Sequence, residues 1–201
     1  PKNNFDGPIE IFAAGDVIFT PPATASLANL RSFEQRTTFP ALRTKLFAIN
    51  AAFFACELTE KFSHEYDENK KLFSNLAHTL KNLENCADQK ESLSILINFQ
   101  LGLLNNTGIA LLLSNCANCN KPVPPKANNA WFVSEISGLV CSGCEQSFVE
   151  KIRLSGPALK VLAGYLPAAE AEQDTLERIE KLLVSHFTYL MNKPPKMAKH
   201  F

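Results

Sequence analysis

Four cysteines form two closely spaced pairs in the sequence, Cys116-Ala-Asn-Cys119 and Cys141-Ser-Gly-Cys144, separated by 21 residues. Two intervening residues let both thiolates of a pair reach one ion from a tight turn, and two such knuckles supply four sulfurs at the corners of a tetrahedron. Buried thiols or a redox pair are the alternatives, which a single pair would leave open. Two pairs at this spacing favour one structural zinc ion, Zn2+, bound by all four cysteines.

The segment that contains both pairs is predicted to fold as a zinc ribbon over residues 112–150. Trp131-Phe132-Val133 is predicted to form a strand, and Ser137-Gly138 to turn the chain back toward the second pair. Asn120 and Gly143 stand where a knuckle needs a residue that tolerates left-handed or otherwise unusual backbone angles. An all-sulfur, four-coordinate site leaves no position for water or substrate, so the zinc is expected to be structural and not catalytic.

The remaining motifs do not indicate an enzyme. The sequence has no Gly-rich phosphate loop, no Gly-x-Ser-x-Gly elbow and no His-Glu-x-x-His. A zinc hydrolase or deaminase is a rival interpretation, but Glu135 and Glu145 near the ribbon have no histidine ligand beside them. Cys56 and Cys86 lie at helical positions among apolar residues and are interpreted as packing residues. The four histidines are not at ligand spacing and are expected at the surface or half-buried: His64, His78, His186 and His200.

The composition and the first residues of the chain limit the classes of protein to which it can belong. The 201 residues are 46% hydrophobic and 20% charged, which allows a real core. No apolar run approaches the roughly 20 residues needed to span a bilayer, and the start has no basic region followed by an apolar one. Paired cysteines without an export signal predict a reducing, cytoplasmic compartment. Because the chain begins at Pro1 without a Met, we expect a fragment or a chain that lacks its beginning.

Apolar periodicity predicts a mainly α fold with a β part. Residues 8–34 are predicted to form short strands, interrupted at Gly15-Asp16 and Pro21-Pro22. Pro40 is expected in the first turn of a helix, after which apolar residues recur at three- and four-residue steps. Helices are also predicted at residues 157–162 and 174–191. The predicted core-facing stripes are Leu42, Leu46, Ile49, Phe53 and Cys56; Leu72, Leu76, Leu80 and Leu83; Leu93, Ile97, Leu101 and Leu104; and Leu176, Ile179, Leu183, Phe187 and Leu190.

Three stretches resemble motifs of the RecO family of bacterial DNA-repair mediators. Phe99-Gln-Leu-Gly-Leu-Leu104, which leads to the first cysteine pair, is similar to the family's Phe-Glu-Leu-x-Leu-Leu helix. Trp131-Phe132-Val133-Ser134, followed by Ser137-Gly138-Leu139-Val140-Cys141, resembles the family's aromatic strand and Gly-Gly-Leu-x-Cys-x-x-Cys run. Ser185-His186-Phe187 with Tyr189-Leu190, and Lys196, Lys199 and Phe201 beyond, is similar to its closing element. Gly102 departs from the pattern, because members commonly carry a basic residue there.

The resemblance implies a domain organisation and a set of partners. Residues 1–35 would be the C-terminal part of an OB-fold whose first half is absent, and residues 36–201 the helical domain that carries the zinc ribbon. Family members anneal complementary single strands and, with RecR, help to load RecA onto DNA covered by single-strand-binding protein (SSB). The OB-fold contributes a basic groove for single-stranded DNA, and the helical domain receives the acidic, Phe-ended C-terminal tail of SSB. The expected location is the cytoplasm, at the nucleoid, with no membrane contact.

The net charge is zero, which argues against nucleic-acid binding over the whole surface. Candidate cations for single strands or the acidic tail fall into two groups. Solvation is the alternative explanation of each residue taken singly. The alternative function is a zinc-ribbon protein-interaction module without direct DNA binding. The candidates are Arg31, Arg36, Arg43 and Lys45 at the domain junction, and Lys193, Lys196 and Lys199 in the tail.

Overall fold

A small sheet forms the first part of the chain in a computed structural model, which describes residues 4–5, 8–22, 27–124 and 130–201. Its strands are ordered β1-β3-β2, with β1 parallel and β2 antiparallel to β3. Gly15 lies at a register shift, where an added Cβ would stand 2.0 Å from the carbonyl oxygen of Glu34. Only glycine fits this close approach. The strands are β1 (Asn4–Phe5), β2 (Ala14–Thr20) and β3 (Asn29–Thr37).

The predicted strands between residues 8 and 34 are therefore present as β2 and most of β3. Two predicted regions extend beyond the described residues. The range 1–35 includes residues 1–3, 6–7 and 23–26, and the range 112–150 includes residues 125–129, all of which lie outside the described part of the chain.

Five α-helices follow within the described residues, and side-chain caps begin three of them. Asn69 accepts a hydrogen bond from the backbone N–H of Leu72 at 2.9 Å, and Asp88 accepts one from Glu91 at 2.8 Å. Ser155 accepts one from Ala158 at 3.3 Å. The helices are α1 (Leu46–Phe62), α2 (Lys70–Asn85), α3 (Gln89–Asn106), α4 (Gly156–Leu162) and α5 (Gln173–Met191).

The first α-helix starts later than predicted, and of its predicted core-facing stripe only Leu42 is fully buried. Pro40 begins a separate 3-10 helix, Pro40–Thr44, and α1 starts at Leu46, whose side chain is 76% exposed. Phe53 is half-buried against Phe12, with ring centroids 4.8 Å apart. The buried face instead consists mostly of small residues, which let α2 and α3 approach closely: Ala48, Ala51, Ala52, Phe54, Ala55 and Leu58.

The other predicted stripes face the core, and their residues are buried except Leu76, Leu101 and Leu190, which are half-buried and pack against the core. Helix α3 lies at the centre of this core and packs against α1, α2 and α5. Gln100 on α3 donates a hydrogen bond to Glu180 on α5 at 2.7 Å inside the core. Burial raises the pKa of Glu180 to about 7, and the bond from Gln100 only partly offsets this.

His186 contradicts the expectation of surface or half-buried histidines. It is fully buried on α5, and its ring meets the ring of Phe132 edge-on at 5.2 Å. Neither ring nitrogen has a hydrogen-bond partner among the described residues. Burial lowers the pKa of His186 to about 4, so the neutral ring serves as a packing residue.

A second small sheet lies against α5. Its strands are ordered β5-β4-β6, and both pairs are antiparallel. The predicted strand at Trp131-Phe132-Val133 is confirmed as part of β4. In the described part of the chain, no helix is long and apolar enough to cross a membrane. The strands are β4 (Ala130–Val133), β5 (Gly138–Cys141) and β6 (Ile152–Leu154).

Candidate metal centre

The second sheet positions both cysteine pairs through one shared strand. Cys141 is the last residue of β5, so the second pair continues directly from the sheet. The segment before Cys116 runs beside the same strand. The N–H of Leu139 donates to the carbonyl of Leu112 at 2.9 Å, and the N–H of Ala117 donates to the carbonyl of Leu139 at 2.7 Å. Both pairs are therefore fixed to β5.

Gly138 makes this close approach possible. An added Cβ there would stand 2.9 Å from the Cβ of Leu112 and 3.0 Å from that of Ala117. Ser137, just before it, has a left-handed backbone with φ 46°, which confirms the predicted turn at Ser137-Gly138. A side chain at position 138 would push the first knuckle away from β5.

Each knuckle is closed by its own backbone hydrogen bonds. In the first, the N–H of Asn120 donates to the carbonyl of Cys116 at 2.8 Å, and Asn120 has φ 59°. In the second, the N–H of Cys144 donates to the carbonyl of Cys141 at 3.0 Å. The predicted left-handed position is confirmed for Asn120. Gly143 does not adopt a positive φ, and the turn that closes the second knuckle does not require one.

The four sulfur atoms converge on one point. All of them lie within 4.8 Å of one another, and the sulfurs of Cys119 and Cys141 are 3.8 Å apart. Four sulfurs about 2.3 Å from a central zinc would be separated by about 3.8 Å in a regular tetrahedron. Among the described residues all six cysteines are free, and no pair forms a disulfide. The cluster is thus compatible with one tetrahedral thiolate-bound metal ion.

The surroundings of the cluster favour a thiolate at Cys116. Burial raises the pKa of its thiol, but backbone hydrogen bonds around Cys119, Cys141 and Asn118 outweigh burial and lower the pKa to about 6. At Cys144 the Asn118 side chain lowers the pKa, whereas the neighbouring thiols and burial raise it to about 11. Four thiols around one point therefore resist full ionisation unless a cation joins them.

The cysteines outside the cluster behave as packing residues. Cys86 is fully buried, and its thiol lies 3.0 Å from the carbonyl of Leu83. Cys56 is half-buried, and burial raises the pKa of its thiol to about 11. Both therefore fit the interpretation as core residues.

Each of the four junction cations forms a hydrogen bond or an ion pair with another residue of the chain. Arg31 donates to the Thr20 hydroxyl at 2.8 Å, and Arg36 pairs with Asp16 at 2.8 Å and with Glu34 at 2.9 Å. Arg43 pairs with Glu10 at 2.6 Å, while Lys45 donates to the carbonyl of Cys86. These contacts hold the first sheet together and join it to the helical part.

The tail cations are placed differently. Lys193, Lys196 and Lys199 are exposed and form no ion pair with any described residue. Lys196 and Lys199 both belong to a 3-10 helix, Lys196–His200, in which residues three apart lie on one face.

The sequence pattern did not indicate the basic residues of β6 and α5, or the buried pair Gln100–Glu180. Arg178 and Lys181 fall on the polar side of α5 according to its helical period. That period is the sequence signal from which both could have been predicted. Arg153 lies on β6, whose alternation Ile152-Arg153-Leu154 is only three residues long and too short to predict a strand by itself.

Comparisons with known proteins agree with this architecture. Residues 43–199 match the family model described as "Recombination protein O C terminal". A DNA repair protein RecO of Dehalococcoides mccartyi strain CBDB1 is 25% identical over 208 residues, which cover 97% of this chain and 77% of the relative. Another, from Dehalococcoides mccartyi strain BAV1, is 27% identical, with coverage of 79% and 63%. That of Alkaliphilus metalliredigens is 29% identical, with coverage of 88% and 66%.

Fold and site together define a class of protein: a helical bundle beside a small sheet that carries four clustered cysteines. The family match covers far more than half of the chain. The chain belongs to the RecO family. The match to the Dehalococcoides strain BAV1 relative spans just under two thirds of that relative's length.

Proposed function

We propose that this chain is a DNA-repair and homologous-recombination mediator of the RecFOR pathway. In this role it binds single-stranded DNA, SSB and RecR, and promotes strand annealing and RecA loading. The family match over residues 43–199 is the observation that carries the proposal, and relatives that carry the name DNA repair protein RecO support it.

The metal part of the proposal is that Cys116, Cys119, Cys141 and Cys144 bind one structural Zn2+. Bound zinc would supply a cross-link between the first knuckle and the end of β5. The separation of 3.8 Å between the sulfurs of Cys119 and Cys141 supports this assignment. A site with four thiolates has no open position, so the proposed role is non-catalytic.

The domain part of the proposal concerns the first sheet. We assign residues 1–35 to the C-terminal part of an OB-fold and residues 36–201 to a helical domain with a zinc ribbon at 112–150. Exposed apolar side chains on β2, among them Val17, Ile18 and Phe19, support an incomplete β-domain. A nucleoid-associated, cytoplasmic location follows from the proposed DNA role.

An alternative function is a zinc-ribbon protein-interaction module without direct DNA binding. The internal pairing of Arg36 and Arg43 with carboxylates favours this alternative. The salt dependence of single-strand binding distinguishes the two. Counterion release gives a steep decrease in affinity with salt when phosphates are contacted, whereas a module without DNA contact gives no such slope.

The proposed contact with SSB is tested with a labelled peptide that ends in the acidic, Phe-terminated tail of SSB. We expect saturable binding in a fluorescence-anisotropy titration, and loss of that binding when the terminal Phe is deleted. The ring needs an apolar slot, and the carboxylates need nearby Lys or Arg. Equal binding of both peptides by folded, metal-loaded protein would contradict the proposed SSB contact.

A further inference from the structure

A basic cavity of about 250 Å³ lies where β6, the start of α4 and α5 meet. Arg153 of β6 and Arg178 and Lys181 of α5 line it, and no Asp or Glu does. Its remaining walls include the buried side chains of Leu154 and Ala158. Three cations from two separate elements therefore face one concavity, which is a favourable place for an anion.

A larger cavity of about 450 Å³ adjoins the first and shares Lys181 with it. His200 and Phe201 of the tail line the same cavity. Lys181 thus lies between the basic cavity and the end of the tail. We call the combined surface the basic track, and it consists of Arg153, Arg178, Lys181 and His200.

Lys181 and Arg178 of the basic track are more available to a ligand than the junction cations. Lys181 forms no ion pair with any described residue. Arg178 pairs with Asp174 at 2.8 Å, but both side chains are more than half exposed. An exposed pair of this kind contributes only about 0–1 kcal/mol, so a phosphate can compete for the arginine.

We propose that the basic track binds the phosphate backbone of single-stranded nucleic acid. This inference rests on the proposed function and names a contact surface outside the first sheet. Phosphates would lie at Arg153, Arg178 and Lys181, in the cavity that no carboxylate lines. A base would enter the adjoining cavity, where Phe47 and Phe201 offer aromatic faces.

The walls of the larger cavity favour a nucleobase over an acidic peptide. Asn50 and Gln89 carry side-chain amides, which are suited to hydrogen bonds with the edge of a neutral base. Glu177 lines the same cavity and opposes the carboxylates of an acidic peptide. Glu180 also lines it, but its side chain is buried and retains a proton to about pH 7 because burial raises its pKa.

The test measures binding of a labelled oligothymidine by fluorescence anisotropy over a series of salt concentrations. The track variant replaces three cations with glutamine: Arg153→Gln, Arg178→Gln and Lys181→Gln. The matched control removes three exposed lysines of α2: Lys70→Gln, Lys71→Gln and Lys81→Gln. Far-UV circular dichroism and thermal melting check that both variants fold.

We expect the track variant to lose at least about tenfold in affinity at low salt. Its log–log salt slope should be smaller by about 2, because each phosphate contact to a single strand contributes about 0.7. The control variant should keep the wild-type slope. A track variant that binds like the wild type overturns the basic track, while the proposed DNA function stands.

Two further outcomes separate the inference from the proposed function. If the wild-type protein does not bind oligothymidine at low salt, the proposed single-strand binding fails as well. If the track variant no longer binds an acidic, Phe-ended peptide but still binds oligothymidine, the surface is a peptide site, and the nucleic-acid assignment is overturned.

Discussion

The carboxylate of Glu57 on α1 accepts a hydrogen bond from the backbone N–H of Met197, 140 residues further along the chain, at 2.9 Å. Its other oxygen accepts one from the N–H of Lys196 at 2.7 Å. The two bonds cap the start of the 3-10 helix Lys196–His200. Beyond it the ring of Phe201 packs on Phe54 at 5.4 Å. Glu57 therefore fixes the tail lysines against the bundle.

Replacement of this carboxylate should release the tail. We expect Glu57→Ala to lower the free energy of unfolding by about 1–2 kcal/mol, because two bonds to a charged acceptor are lost. Hydrogen exchange should become faster at Lys196 and Met197. The matched control is Glu60→Ala, one turn away, whose carboxylate bonds, within the described part of the chain, to the side chain of Lys61. Unchanged protection of the tail in Glu57→Ala would contradict the capping role.

Loss of one clustered cysteine should abolish the metal site. We expect one zinc per chain in the wild type by elemental analysis, and less than one in Cys119→Ser, because three thiolates hold zinc more weakly than four. The melting temperature should decrease in the variant, as it should when a chelator removes the metal from the wild type.

The control for this experiment is Cys56→Ser, which lies outside the cluster and is half-buried. It should retain the full metal content even if its packing is weakened. A wild-type protein that is folded without any metal, or a Cys119→Ser variant with full zinc content, would contradict the four-cysteine assignment.

Two glycines near the cluster should respond differently to an added methyl group. Gly138→Ala places a Cβ 2.9 Å from that of Leu112, and we expect a loss of about 1–3 kcal/mol from overpacking. Zinc affinity, measured by chelator competition, should decrease with it. Gly143→Ala should be tolerated, because the nearest atom to its Cβ is the Cys141 sulfur at 4.0 Å. Equal zinc affinity in both variants would show that the segment before Cys116 moves freely.

The buried carboxyl of Glu180 should make stability depend on pH. Burial raises its folded-state pKa from 4.5 to about 7, so the folded protein holds a proton that the unfolded chain releases. The stabilisation is full below about pH 4.5 and is lost as pH rises to about 7. The loss amounts to up to about 3 kcal/mol and is measured as the difference in urea unfolding between the wild type and Glu180→Gln, because the titration of His186 opposes it in the wild type.

Glu180→Gln should remove that loss. The new amide keeps an oxygen that accepts the hydrogen bond from Gln100. Its N–H group adds a donor to this pair, in which two acceptor oxygens, Gln100 Oε1 and Glu180 Oε2, have no hydrogen-bond partner among the described residues. Relative to the wild type, the variant should gain stability as pH rises from about 5 to about 7, and the gain should level off above that. A parallel pH profile in both proteins would show that Glu180 does not titrate in this range.

His186 provides a control of opposite sign. Burial lowers its folded-state pKa from 6.5 to about 4, so its contribution to stability is present above about pH 6.5 and is lost as pH falls toward 4. His186→Leu should therefore flatten the acid side of the profile and leave the effect of Glu180 in place.

The sequence allowed prediction of features that depend on local spacing. The two cysteine pairs, the strand at Trp131 and the left-handed Asn120 are set by neighbours within a few residues, and they follow the sequence pattern. The face of α1 does not, because alanines give a weak hydrophobic signal although they permit the closest helix packing.

Long-range contacts were beyond the reach of the pattern. In the sequence, Glu57 cannot be distinguished from any other acidic residue on a helix. Only the fold brings the backbone of Lys196 and Met197 to it. Likewise, Gln100 and Glu180 are 80 residues apart, and only the folded chain places one against the other. The basic track has the same origin, since β6 and α5 contribute to it from separate parts of the sequence.

Strand annealing tests the central claim most directly. Two complementary oligonucleotides, one carrying a fluorophore and the other a quencher, are mixed with and without the folded, metal-loaded protein. A recombination mediator should accelerate duplex formation without any nucleotide cofactor, and the acceleration should decrease as salt rises. Annealing at the spontaneous rate at every salt concentration would contradict the account and favour a protein-interaction module.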